Sequence, residues 1–174
     1  NLAYTKEAFQ AVNGFEGVAN IASGDDMLLM QKIAAAFPGR VHYLKSKEVL
    51  VTTPAMPNLK TFLQQRIRWA SKAGFYKDKS LNAVLAIVYV FNLFLLIAPI
   101  ISIFYNPILL NLQPNLSFSL IGFWLCLFIG KLFIDSWFMI PVSHFFNKIN
   151  LLAFFIIAQP FHIIYTVVAG WLGK

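Results

Sequence analysis

Two polar clusters in this sequence have the residue types and spacing to do chemistry. The first is the acidic pair Asp25-Asp26, which follows Ser23-Gly24 and precedes the run MLLMQKIAAAF. The helix dipole favours acids at a loop-to-helix junction. A carboxylate held there can take a proton from a hydroxyl as a general base. The second cluster is Gln65-Arg66-Ile67-Arg68-Trp69, with Lys72 close behind. The planar face of an indole can stack on a sugar ring, which presents C–H groups to it. An Arg grips phosphate with a bidentate fork. A Gln amide bonds a hydroxyl or a phosphate oxygen. Each cluster also has a plain structural reading: the acids as an N-cap, the basic helix with its Trp as an interfacial anchor.

The remaining polar side chains are sparse. His42, His144 and His162 have no spacing that suggests a metal site. His144 falls near the end of an apolar run, and His162 lies beside Gln159-Pro160, where a kink is expected. Cys126 is the one cysteine, so no disulfide forms within the chain, and it reads as a small apolar filler. Lys131 and Asp135 stand four apart inside an apolar run. They read as an i,i+4 ion pair facing a helix bundle. Charges inside a membrane are costly and often functional, so a role lining a glycan path is the sharper reading. No phosphate loop, GxSxG elbow or nucleic-acid motif occurs.

Local signals define the elements that position these groups. Thr5 is an N-cap for a short helix over Thr5–Val12, which Asn13-Gly14 closes. After Asp25-Asp26, Leu28, Leu29, Ile33 and Phe37 recur at helical spacing, and Pro38-Gly39 ends the run. Val41–Leu44 and Glu48–Val51 are strand candidates, and Thr52–Pro57 is a loop. Residues 59–73 form an amphipathic helix. Gln65, Arg68, Trp69 and Lys72 fall within about 100° of one another on it. Leu63, Ile67 and Ala70 lie to the other side.

The composition divides the chain sharply. Hydrophobic residues make up 59% of the 174 and charged residues 12%, with a mean hydropathy of +0.67. That excludes disorder and argues against an ordinary soluble domain. Residues 1–80 hold 11 of the 14 Lys+Arg and 6 of the 7 Asp+Glu. Residues 81–174 contain only Lys131, Lys148, Lys174 and Asp135. Three apolar stretches, about 81–104, 116–140 and 149–170, are each long enough to span a bilayer. Arg66, Arg68, Lys72, Lys77 and Lys79 precede the first span, and Lys148 sits in the second loop. The positive-inside rule then places the first 80 residues in the cytoplasm and the C-terminus outside. The basic helix before the first span is placed in the cytoplasmic interface, against anionic headgroups rather than nucleic acid.

The order GDD, then about 40 residues, then QxxRW, then apolar spans resembles the C-terminal half of a membrane-embedded family 2 glycosyltransferase. These are inverting enzymes of GT-A type, among them the cellulose, chitin, hyaluronan and poly-N-acetylglucosamine synthases. The opening NLAYTKEAF…NGF is similar to the segment that follows their metal-binding strand. The resemblance covers most of residues 1–80, and beyond them it matches only in kind. It implies a partial α/β domain over 1–58, an interfacial helix with QxxRW over 59–80, and a transmembrane region over 81–174. It implies Asp26 as general base, with Asp25 positioning the helix terminus or the acceptor. Trp69 would stack on the acceptor sugar, Gln65 and Arg68 would hold the nucleotide diphosphate, and Arg66 and Lys72 would assist. The implied partners are a nucleotide-sugar donor, a glycan or lipid-linked acceptor, and the bilayer of the plasma (inner) membrane.

The chain departs from this family in one large respect. It carries no DxD motif, so the Mg²⁺ or Mn²⁺ expected for the full-length enzyme has no evident site. The expectation is a C-terminal fragment, inactive without an N-terminal catalytic half. Two alternatives remain: a non-enzymatic multi-pass membrane protein, or a subunit completing a separately encoded catalytic half.

Overall fold

A computed structural model describes residues 2–17, 25–76, 78–109 and 120–173. The chain divides into two compact units, one over 1–82 with 172–174 and one over 83–171.

In the first unit, α1 (Lys6–Ala11) begins at Thr5, whose hydroxyl accepts from the Ala8 N–H at 3.2 Å. It ends in a Schellman motif, with Gly14 N–H donating to Phe9 O and Asn13 N–H to Gln10 O. Asn13 and Gly14 both take positive φ, 54° and 50°. Gly14 is required on a second count. A Cβ there would come within 2.5 Å of the Phe9 ring, which Tyr4 and Phe15 hold at centroid distances of 5.7 and 5.4 Å. α2 (Asp25–Ala36) buries Leu28 and Leu29. From the same helix, Lys32 donates to the carbonyls of Gly14 and Glu16 at 2.6 and 2.9 Å. This ties α2 to the turn that closes α1. Gly39, at φ 75°, follows its C-terminal end.

The α/β expectation for residues 1–58 is corrected here. No strand occurs among the described residues; Val41–Leu44 and Glu48–Val51 are irregular. A strand is stabilised by a neighbouring backbone and by a covered face. Here Tyr43, Leu44 and Val51 are 84%, 69% and 67% exposed, so neither condition is met.

α3 (Leu59–Ala70) starts at Asn58, whose Oδ1 accepts from the Thr61 N–H at 2.9 Å. The α-helix ends at Ala70 rather than at residue 73, and Ser71–Phe75 tightens into a 3₁₀ turn. Asp78 then caps α4 (Lys79–Leu109), accepting from the backbone of Ser80 at 2.8 Å and of Leu81 at 3.3 Å. The Ser80 hydroxyl, together with these backbone donors, holds the Asp78 carboxyl below its usual range.

The second unit is built from α4, α5 (Leu120–Phe145) and α6 (Phe155–Leu172), with a 3₁₀ turn over Ile149–Phe154 before α6. Three stretches, Lys79–Ser102, Ile121–Phe145 and Ile149–Leu172, are long and apolar enough to cross a membrane. The expected spans agree in place and differ at their ends. α4 continues through Tyr105 to Leu109, which had been expected as loop, while residues 110–119 lie outside the described residues. α5 passes through Pro141 and ends instead in a Schellman motif at Asn147, φ 54°. Proline is tolerated in membrane helices, where neighbouring groups can bond the freed carbonyls.

α4 contains a specific case of that repair. Pro99 has no N–H, so the carbonyl of Leu95 lacks its helical donor. Trp124 of α5 supplies one, its indole N–H lying 2.8 Å from Leu95 O. Trp124→Phe keeps an aromatic ring beside Phe128 but removes this donor. The variant is expected to lose about 1–2 kcal/mol of stability to unfolding in detergent. An unchanged unfolding midpoint would show that Leu95 O has another donor.

Elsewhere, α6 approaches α4 at Gly170, where a Cβ would meet the Tyr89 ring at 2.5 Å. The buried stripe of α4 is Asn92, Leu95, Ala98 and Ser102. Large apolar side chains such as Phe133, Trp137 and Phe161 are two-thirds or more exposed, as suits contact with hydrocarbon. Cys126 is also exposed and does not fill the core.

Candidate functional site

The acidic pair occupies the first turn of α2, where unsatisfied N–H groups favour negative charge. Both carboxylates are exposed. The Oδ1 of Asp26 accepts from the Met27 N–H at 2.8 Å, which engages one of its oxygens with the helix terminus. Ser23 and Gly24, the loop side of the expected junction, lie outside the described residues.

The second cluster stands on α3. Arg68 and Trp69 are exposed, and Gln65, Arg66 and Lys72 are half-buried. Lys72 falls in the 3₁₀ turn, so its angular place beside Gln65 and Arg68 is not that of a continuous α-helix. Arg66 has the most defined surroundings. Its guanidinium lies 4.8 Å from the centroid of Phe62 and 4.3 Å from that of Trp69, a cation–π stack between residues one turn apart on either side. One face of the indole is therefore occupied by Arg66. Residues 59–76 contain Lys60, Arg66, Arg68 and Lys72 and no acid, so α3 and its turn are uniformly basic.

The two clusters stand on different helices. α1 and α2 pack together, and α3 packs with the 3₁₀ turn that follows it. No group of three or more His, Cys, Asp or Glu gathers among the described residues.

A third polar group lies within the apolar helices. Lys131 Nζ donates to Asp135 Oδ2 and to Gln159 Oε1, the latter at 2.8 Å. Gln159 Nε2 donates to the same Asp135 oxygen at 3.0 Å. The three side chains form a closed ring of hydrogen bonds that joins α5 to α6. Lys131 and Gln159 are buried, and the Asp135 side chain is one-third exposed. The i,i+4 pair was legible in the sequence, but Gln159 as its third member was not. A lone amide in an apolar span is the signal that could have found it. Asn92 is a further buried amide, bonding Val88 O at 2.8 Å, that sequence reading passed over. His162 meets Tyr165 edge-on at 5.2 Å.

No protein-family model matches this sequence, and no curated protein and no solved structure matches it.

Proposed function

We propose that this chain is the acceptor-side and membrane part of an inverting glycosyltransferase that uses a nucleotide-sugar donor. The observation that carries the reading is the pairing of Asp25-Asp26 at a helix N-terminus with Gln65, Arg68 and Trp69 on a capped helix just before an apolar span. In this reading Asp26 removes the proton of an acceptor hydroxyl as its oxygen bonds to the anomeric carbon of the donor. The bond from that carbon to the diphosphate breaks, so the nucleoside diphosphate leaves and the configuration inverts. Gln65 and Arg68 offset the charge developing on the leaving diphosphate, and Trp69 stacks on the acceptor sugar. The nucleoside and the divalent metal need a binding half that these residues do not supply. The basic α3 lies at the cytoplasmic face of the plasma (inner) membrane.

The test uses membranes containing this chain together with its donor-binding half, supplied with labelled nucleotide sugars. Trp69→Ala is expected to lower transfer about tenfold, the worth of one aromatic stack, and Trp69→Phe to recover most of it. Equal transfer by Trp69→Ala would remove the indole from the acceptor site.

The stacking of Arg66 on Trp69 favours a second reading. A guanidinium on one indole face suits an interfacial anchor as well as a sugar platform. In that case the chain is a non-enzymatic multi-pass protein, and Trp69→Ala weakens membrane placement of α3 without any transfer to lose.

A further inference from the structure

A half-open cavity of about 360 Å³ lies where the end of α5, the 3₁₀ turn over Ile149–Phe154 and the start of α6 meet. Its walls include Met139, Val142, Leu152, Phe155 and Ala158. Only two side chains lining it are polar, Ser143 and Lys148. Ser143 is buried, and its hydroxyl already donates to Ile140 O at 2.7 Å. Lys148 is exposed.

These facts restrict the occupant. Ordered water is held by two to four polar partners, and these mostly apolar walls offer few. Hydrocarbon suits the walls, and the single cation at the rim calls for an anionic head. The backbone of the residue that carries this cation is fixed. Lys148 N–H donates to Ser143 O at 2.8 Å and Asn147 N–H to His144 O at 3.2 Å, the two bonds of the Schellman motif that ends α5. Lys148 therefore stands where an apolar helix gives way to its loop, a boundary that would fall near the lipid headgroups of a bilayer spanned by α5.

We propose that this cavity seats one acyl chain of an anionic bilayer phospholipid, with the lipid phosphate on Lys148. The site is independent of any sugar-transfer role. It would hold the α5–α6 turn at one depth in the membrane.

The test places the full chain in nanodiscs containing phosphatidylglycerol or phosphatidylcholine with a photoreactive diazirine in the same acyl position. Labelled peptides are then mapped by mass spectrometry. Phosphatidylglycerol is expected to label the 139–158 region about fivefold more than phosphatidylcholine, the preference one interfacial cation confers. Lys148→Gln is expected to equalise the two lipids. Ala158→Phe, which narrows the cavity, should reduce labelling by both. Equal labelling of the unaltered protein, or full labelling of Ala158→Phe, would overturn the proposal. So would a stronger preference for an isoprenyl phosphate in competition, which would assign the cavity to a lipid-linked acceptor instead.

Discussion

Lys131→Met is expected to destabilise the folded helical unit by about 2–3 kcal/mol, because it leaves a part-exposed carboxylate inside an apolar span without its cation. In the intact chain Lys131 bonds both Asp135 and Gln159, and Gln159 returns a bond to Asp135. Removing the ammonium leaves the carboxylate with only an amide donor. Two effects compete in setting the magnitude. Hydrogen bonds between membrane helices average only about 0.6 kcal/mol, because the separated helices find other partners. A charge near the middle of a span costs about 2.5–3.5 kcal/mol even on insertion scales. The charge term is the larger, so the loss should follow neutralisation and not the number of bonds removed.

The double variant Lys131→Met with Asp135→Leu separates these terms. It removes both charges and leaves Gln159 on α6 as the one polar member. Its stability should return to within about 1 kcal/mol of the unaltered chain, since an apolar replacement of a buried ion pair is often neutral. The measurement is reversible unfolding in mixed micelles, read as a double-mutant cycle. Additive losses would show that Lys131 and Asp135 are not coupled. A double variant that is stable but deficient in sugar transfer would assign the pair to a glycan path rather than to packing.

Particular residues show why parts of this structure were legible in the sequence and others were not. Thr5, Asn13-Gly14 and Pro38-Gly39 act on their own neighbours, so the helices they bound were readable from a few residues. The three spans were readable because a bilayer imposes a minimum apolar length. The exact ends were not, because Pro141 is a stop signal in water but not in α5. Strand candidates at 41–44 and 48–51 failed for another reason. Their β-branched and aromatic residues express a preference that only a paired neighbour realises. Trp124 with Leu95, and Gln159 with Lys131, join residues 29 and 28 apart. No periodicity within one helix predicts which residue of another helix will meet it. In the candidate site, the helical placement of Asp26, Gln65, Arg68 and Trp69 was legible from spacing. The stack of Arg66 on Phe62 and Trp69 was not foreseen, although residues three and four apart are natural helical neighbours.

The transferase reading depends most heavily on Asp26. Asp26→Asn is expected to lower turnover about 10²–10⁴-fold, the usual worth of a positioned general base. The substitution preserves shape and retains an oxygen that can accept the Met27 N–H bond of the native helix terminus. Loss of a helix-terminal charge alone would change stability by only about 0.3–1 kcal/mol, too little to remove activity or to lower the amount of protein in the membrane. The informative comparison is therefore between Asp26→Asn and Asp25→Asn, measured as turnover per unit of membrane-inserted protein. Both acids are exposed in the first turn of α2, so a purely dipolar role predicts similar, small effects for the two. A base predicts a large loss for Asp26→Asn alone. Turnover that survives Asp26→Asn would leave the acidic pair as a helix cap and remove the proton acceptor from the proposed reaction.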